Sequence, residues 1–352
     1  MKIRILSFAL FTALLALIGC QAMADPIKLT RDLKYTQGDG FVDVTRGDQL
    51  IARYVYKDTP KPYIYPLNGP GGEALTRAYP MKEVAGEPTD HPHHRSFWVG
   101  HGDVNGVDFW AEGEKSGRIV QTTIDFNSEI PGHWNISTNN VWVGPDEKTI
   151  CTEARRYSFV SCDYGILVST SITLAARGGD VKFGGTKEGF FALRLAPGLQ
   201  LAGGKGHILN SEKLKDQACW GKRARWRDYT GEVDGKTCGV TVFDLPSNQG
   251  HPTYWHARDY GLLAANPFGG KDFTGDPKTD SGFTLGDGRT LRLVYITLLH
   301  SGKLEAEKID ALADQILGKA PPKREPTAPT APAAPAAPAA PGFIGPPPEG
   351  KG

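Results

Sequence analysis

The densest chemistry in the chain lies in one stretch, Asp90-His91-Pro92-His93-His94-Arg95-Ser96-Phe97-Trp98, followed by Gly100-His101-Gly102-Asp103-Val104-Asn105-Gly106-Val107-Asp108-Phe109-Trp110. Four of the nine histidines fall within eleven positions. Histidine changes protonation near neutral pH and is the commonest metal ligand. The cluster is therefore suited to general acid–base work, and equally to holding a divalent ion, zinc or iron, with a carboxylate such as Asp103. For any one histidine a hydrogen bond to a turn carbonyl is the plainer explanation; for four together it is the weaker one.

A second rich segment, Pro252-Thr253-Tyr254-Trp255-His256-Ala257-Arg258-Asp259-Tyr260-Gly261, leads into Asn266. In a sugar site aromatic rings cover the C–H face while Arg, Asn and Asp hydrogen-bond the hydroxyls. Core packing accounts for Trp255 and Tyr260 equally well. A third element, His300-Ser301-Gly302, closes a strand and is placed to point into a site. The roles that follow are His93 and His256 as general base or acid, with Asp103 or Asp108 completing the proton path. Arg95 and Arg258 orient a substrate that His91, Trp98, His101, Asn105, Trp255, Asp259, Asn266 and His300 also line. In the metal alternative the ligands come from His91, His93, His94, His101, His256 or His300. Trp220–Trp226 reads as an exposed basic hairpin, with a clamp for a substrate carboxylate or phosphate as the alternative, and Asp244–Asn248 as a turn. Lys61–Leu67 and Arg77–Met81, extended by their prolines, could rim the same cleft.

These segments are carried by strands. Phe41–Val44 and Leu50–Tyr56 alternate about the turn Arg46-Gly47-Asp48, a hairpin. Period-two runs recur at 120–126, 134–143, 150–160, 165–175, 190–195, 238–243 and 291–299, separated by turns such as Asp234-Gly235 and Asp287-Gly288. One helix is expected over 304–317, with Leu304, Ile309, Leu312 and Ile316 on one face, packing on a sheet edge as a closing element. Many strands and one C-terminal helix predict an all-β fold, a large antiparallel β-sandwich occupying 25–319 as a single domain.

The ends set the compartment. Lys2 and Arg4 precede an apolar run from Ile5 to Ile18, the pattern of a signal peptide over 1–24. Ala22-Met23-Ala24 fits cleavage before Asp25, while Leu17-Ile18-Gly19-Cys20 fits a lipoprotein box that would anchor the chain through lipid at Cys20. Either route predicts a periplasmic or extracellular protein. A spanning helix needs roughly 20 apolar residues in a row, and no run reaches that length. In an oxidising space the remaining four cysteines read as pairs, Cys151 with Cys162 and Cys219 with Cys238, each bracketing a stretch of hairpin length. From Ala320 to the end the Pro/Ala/Thr composition predicts a disordered tail over 320–352. Net charge is +1 with both signs interspersed, which lacks the basic stripe that nucleic acid requires.

Several long motifs taken in order, KPYIYPLNGPGG, TRAYPM, DHPHHRSFWVGHGDVNGVDFW, WGKRARW, FDLPSN, PTYWHARDYGLLAANPFG and LLHSG, resemble the bacterial PmoA-like family, from about Tyr56 to His300. The label "methane oxygenase PmoA" implies oxygenase chemistry, yet the chain lacks the membrane-spanning helices of particulate methane monooxygenase subunits. The fold-level analogy points instead to the galactose-mutarotase and polysaccharide-lyase supersandwiches. That analogy implies a carbohydrate ligand handled by proton transfer; the alternatives are a non-catalytic cell-surface glycan-binding module and a metal-dependent hydrolase or soluble oxygenase.

Overall fold

The computed structural model describes residues 26–130 and 133–319. The expected signal peptide over 1–24, Cys20 and the expected tail over 320–352 lie outside them. Strict alternation in the sequence becomes alternation in space: along Thr149–Cys162 every second residue from Cys151 to Ser161 is buried. All strand pairs are antiparallel, and they assemble two large sheets.

The first sheet runs, edge to edge, Tyr254–Ala257, Leu262–Asn266, Gly189–Arg194, Phe97–His101, Tyr63–Leu67, Gln49–Val55, Phe41–Arg46 and Leu33–Gly38. The second runs His207–Asn210, Trp226–Val233, Lys236–Asp244, Thr290–Ser301, Gly165–Ala175, Thr149–Cys162, His133–Val143 and Arg118–Ile130, with Leu29–Thr30 also paired to Thr149–Cys162. Val181–Phe183 and Phe283–Leu285 form a small ribbon. Val42, Ile51, Val99 and Phe191 from the first sheet share one apolar core with Ile166, Ile172, Val240 and Leu293 from the second. The chain is thus a large antiparallel β-sandwich, its two inner faces held by burial at about 1.5–3 kcal/mol per large aliphatic side chain.

The C-terminal helix spans Ala306–Leu317. It lies on the outer face of the second sheet, not on an edge: Ile309, Leu312 and Ala313 pack on Leu167, Trp226, Phe243 and Leu298, which come from four strands. Asp310 accepts the Trp226 indole N–H at 2.8 Å. Trp226 is therefore core, and the segment before it is no exposed hairpin. A second, five-residue helix, Gly270–Thr274, adds to the one expected.

The expected disulfides do not form. Cys151 and Cys162 stand on one strand and point to opposite faces, and eleven residues of extended chain separate them by roughly 36 Å, far beyond a disulfide's reach. Cys219 closes the turn Asp216–Cys219 and donates its thiol to the Leu214 carbonyl, while Cys238 sits within Lys236–Asp244. All four thiols are free.

One ion pair is sealed between the sheets. Glu153 and Arg155, both wholly inaccessible, are neighbours on the inner face of one strand. Glu153 also accepts from the Trp142 indole at 2.7 Å and from Asn140 at 3.3 Å, and Arg155 donates to the Tyr157 hydroxyl at 3.3 Å. Glu153→Gln leaves the guanidinium buried without its counter-charge and is expected to cost about 3–5 kcal/mol in denaturant unfolding. A loss under about 1 kcal/mol would mean that water reaches the pair.

Candidate functional site

The site is built on the outer face of the first sheet. Along Phe97–His101, Phe97 and Val99 enter the shared core while Trp98 points the other way, against Trp110, Ala192, Leu262 and Ala264. Register aligns Tyr63, Trp98, Ala192, Ala264 and His256 as one cross-strand row over five strands. The two alanines keep the middle of that row low. Gly100 lets the next segment lie flat on the sheet, since a Cβ there would stand 2.6 Å from the Phe109 carbonyl oxygen.

Above the row stands a column of rings. His94 stacks on Trp98 at 5.1 Å, His91 on His94 at 4.7 Å, and Tyr260 on His91 at 5.2 Å. His93 meets His94 edge-on at 4.6 Å and lies 5.8 Å from His91. The backbone pays for this placement: His91 and Ser96 adopt φ of +48° and +58°, a region that costs a residue with a side chain about 1 kcal/mol or more.

Charge is arranged in two clusters around the column. Asp90 accepts from Arg77 at 2.7 Å, from Arg194 at 2.9 and 3.0 Å, and from His91 Nδ1. Burial pushes this carboxyl up, but His91 and the two guanidiniums overrule it and hold Asp90 at about 2. Arg95 grips Glu112 in a fork at 2.8 Å, and the buried Lys61 adds its ammonium at 3.4 Å while donating to the Trp110 carbonyl. Burial pushes Lys61 down to about 8 against the pull of Glu112.

The histidines differ in what their nitrogens do. Arg194 donates to His94 Nδ1 at 3.2 Å, so the proton of that neutral ring sits on Nε2. His256 donates Nδ1–H to the Lys187 carbonyl at 3.1 Å, leaving Nε2 with its lone pair. His93, half-buried, makes no hydrogen bond with either ring nitrogen among the described residues. Burial, Lys61 and His91 hold His93 at about 4, and burial with Arg258 and Lys187 holds His256 at about 3. Both rings are neutral bases at pH 7.

Of the residues expected in the site, His91, His93, Arg95, Trp98, His256 and Arg258 share this face. Asp108 stands at its rim, where it acts on His93 but spends its carboxylate on the Trp110 and Ala111 amides. Asn266 and Asp259 are structural: Asn266 ties the Thr186 carbonyl to the Phe268 amide, and Asp259 accepts the Tyr260 amide.

The other expected residues lie elsewhere. His101 has the parity of Val99, so it turns inward among Phe183, Phe190 and Phe268, bonded to the Gly184 carbonyl at 2.9 Å. Asp103 and Asn105 stabilise a turn against Lys182. Trp255 belongs to the inter-sheet core, its indole N–H on Ala224. His300 is on the second sheet, bonded to Asp228 at 3.0 Å with Thr230 and Thr241 on the same carboxylate. It shares the parity of Leu298 under the C-terminal helix, on the far side of the sandwich.

Arg194 and Glu112 had no assigned role, and Asp90, Arg77 and Lys61 had none beyond motif or rim. Arg194 carried a usable signal, a lone charge in the apolar run Phe190–Leu195. Zinc or iron finds no ligand set: among the described residues no three His, Cys, Asp or Glu side chains are grouped to hold an ion. The rings of His91 and His94 lie face to face, and their Nδ1 atoms are already bonded within the protein. Two open hollows of about 380 and 350 Å3 lie away from this face, one lined by Asn105, Lys148 and Asp180, the other by Asn139, Arg156 and Arg292. Among the described residues no helix is long and apolar enough to cross a membrane.

Among solved structures the chain is similar to the α-galactosidase AgaA of Geobacillus stearothermophilus, at 10% identity over 76% of this chain and 40% of that one, TM-score 0.36. It is similar to a galactose mutarotase-like protein of Clostridium acetobutylicum, at 10% identity over 79% of this chain and 98% of that one, TM-score 0.33. A glycoside hydrolase family 97 enzyme of Pseudoalteromonas sp. strain K8 follows, at 9% identity over 80% of this chain and 35% of that one, TM-score 0.33. The chain thus spans well under half the length of the two hydrolases. No curated protein matches it. Residues 41–314, most of the chain, match one family throughout, and the protein belongs to DUF6807, a family of unknown function.

Proposed function

We propose that this face, on an exported protein, binds a sugar and moves protons on it, with His93 as general base and His91 as its acid partner. The reading rests on one observation above all: the Asp90–His91 hydrogen bond stands beside a neutral imidazole whose two nitrogens are free. The Asp90 carboxylate on Nδ1 fixes the orientation of the His91 ring. His93 takes the proton of the anomeric hydroxyl and His91 delivers one to the ring oxygen as the C1–O bond opens to the aldehyde; at a glycosidic bond His93 takes the proton of a water that attacks C1 and His91 protonates the bridging oxygen that leaves. His256, at the end of the cross-strand row, offers a second lone pair. Arg95 and Arg258 supply donors for hydroxyls.

The test is a panel of neutral and acidic mono- and oligosaccharides followed by proton NMR, with the wild type and a His91→Ala/His93→Gln double variant. We expect accelerated interconversion or bond cleavage of at least one sugar, absent in the variant. Binding without any chemical change would select a glycan-binding module. A folded protein that neither binds nor alters any sugar of the panel would end the proposal.

A further inference from the structure

We propose that the sugar taken at this face carries an acidic group, a carboxylate or a sulfate ester, and that Arg258 selects it; the inference rests on the sugar reading above.

Six cations crowd the face: Lys61, Arg77, Arg95, Lys187, Arg194 and Arg258. The carboxylates that accompany them are already engaged: Asp90 by Arg77 and Arg194, Glu112 by Arg95 and Lys61, Glu188 by Lys187 at 3.2 Å, and Asp108, Glu87 and Asp259 by backbone amides. Arg258 is left over. Among the described residues its guanidinium makes no hydrogen bond or ion pair; it lies 5.4 Å from the Tyr260 ring centre, half-buried, close enough to act on His256. Arg223 shows the contrast, its guanidinium donating to the carbonyls of Gly250, His251 and Pro252. A cation brought partly out of water without a counter-charge is unfavourable unless a partner supplies one.

Neutral hydrogen bonding is unbalanced in the same sense. His94 Nε2, Trp98 Nε1 and Trp110 Nε1 are buried with no acceptor in the protein, and their rings touch one another at 5.1 to 5.6 Å. Arg194 Nε is a fourth such donor. The half-buried Arg258 guanidinium, unpartnered among the described residues, is complemented by a ligand group that carries negative charge on paired oxygen acceptors. A sugar acid or a sulfated sugar has both properties. The overall charge of +1 argues against a polyanion such as nucleic acid, which needs an extended basic track.

The experiment compares D-glucuronate, D-galacturonate and glucose 6-sulfate with D-glucose and D-galactose, and includes inorganic sulfate alone, by calorimetry and ligand-observed NMR. Acidic sugars are expected to bind at least tenfold more tightly than their neutral parents, a charge-assisted contact against a neutral one. The arms separate carboxylate from sulfate ester. In Arg258→Gln the ratio should fall toward one, and in Arg258→Lys part of it should return, with unchanged melting temperatures showing that both variants fold. Equal binding of acidic and neutral sugars would overturn the acidic-group proposal and leave the sugar reading standing. Inorganic sulfate binding as tightly as the acidic sugars would mark a bare anion site, and binding of none would remove both proposals.

Discussion

His93→Gln is expected to lower turnover of the sugar identified by the panel by roughly 10²–10⁴-fold, the usual worth of a positioned general base, while binding changes far less. Glutamine keeps a polar side chain of similar size and removes the basic lone pair. The pH profile carries the sharper statement. An ordinary histidine loses its base form below about 6.5, but burial together with Lys61 and His91 holds His93 at about 4. Above the pH at which the fold is lost, kcat/KM should therefore show no limb near 6.5, the usual place for histidine catalysis. A limb near 6.5, or full activity in the glutamine variant, would take the base's role away from His93.

Acid should unfold this protein steeply. His101 and His256 are almost wholly buried, and burial holds them at about 4 and about 3; His94 is driven down by burial in the same direction. In the unfolded chain each takes a proton below about 6.5. Between that pH and the native values, the unfolded state binds protons that the native state refuses. Stability is then complete above about 6.5 and falls as pH falls, by about 1.4 kcal/mol per pH unit for each histidine. Three such rings together give roughly 4 kcal/mol per unit, large beside a typical total of 5–15 kcal/mol. Thermal melts between about pH 7 and 4.5 should show the collapse, and His101→Gln should make it shallower. A melting temperature that stays level over that range would mean these rings are protonated, and solvated, in the native state.

The sandwich was legible from residue patterns because half-buried strands advertise themselves by alternation, and nearly every period-two run became a strand. The site was legible only in part. Types and crowding marked His91, His93, Arg95, Trp98, His256 and Arg258, but nothing in the sequence states which way a side chain leaves its strand. His101 is three residues beyond Trp98 and so has opposite parity, which sends it into the core. His300 looked like a strand-mouth residue, yet the second sheet carries it to the far face, where Asp228 absorbs it. The electrostatic partners were the hardest to see. Arg194 lies about a hundred residues from Asp90 in sequence, and only the pairing of Gly189–Arg194 with Phe97–His101 brings them together. The cysteine pairing failed for a related reason: a spacing suited to a hairpin fell within one long strand.

The cross-strand row from Tyr63 to His256 has a consequence for how the protein comes into being. Its five members are spread over just above two hundred residues, and the last in the chain, Ala264, is the one that seats His256 beside the others. A chain ending before that point lacks the strand that pairs with Tyr254–Ala257, so the face is complete only once Leu262–Asn266 is in place. A ligand of the proposed kind would bind the completed fold and stabilise it by mass action.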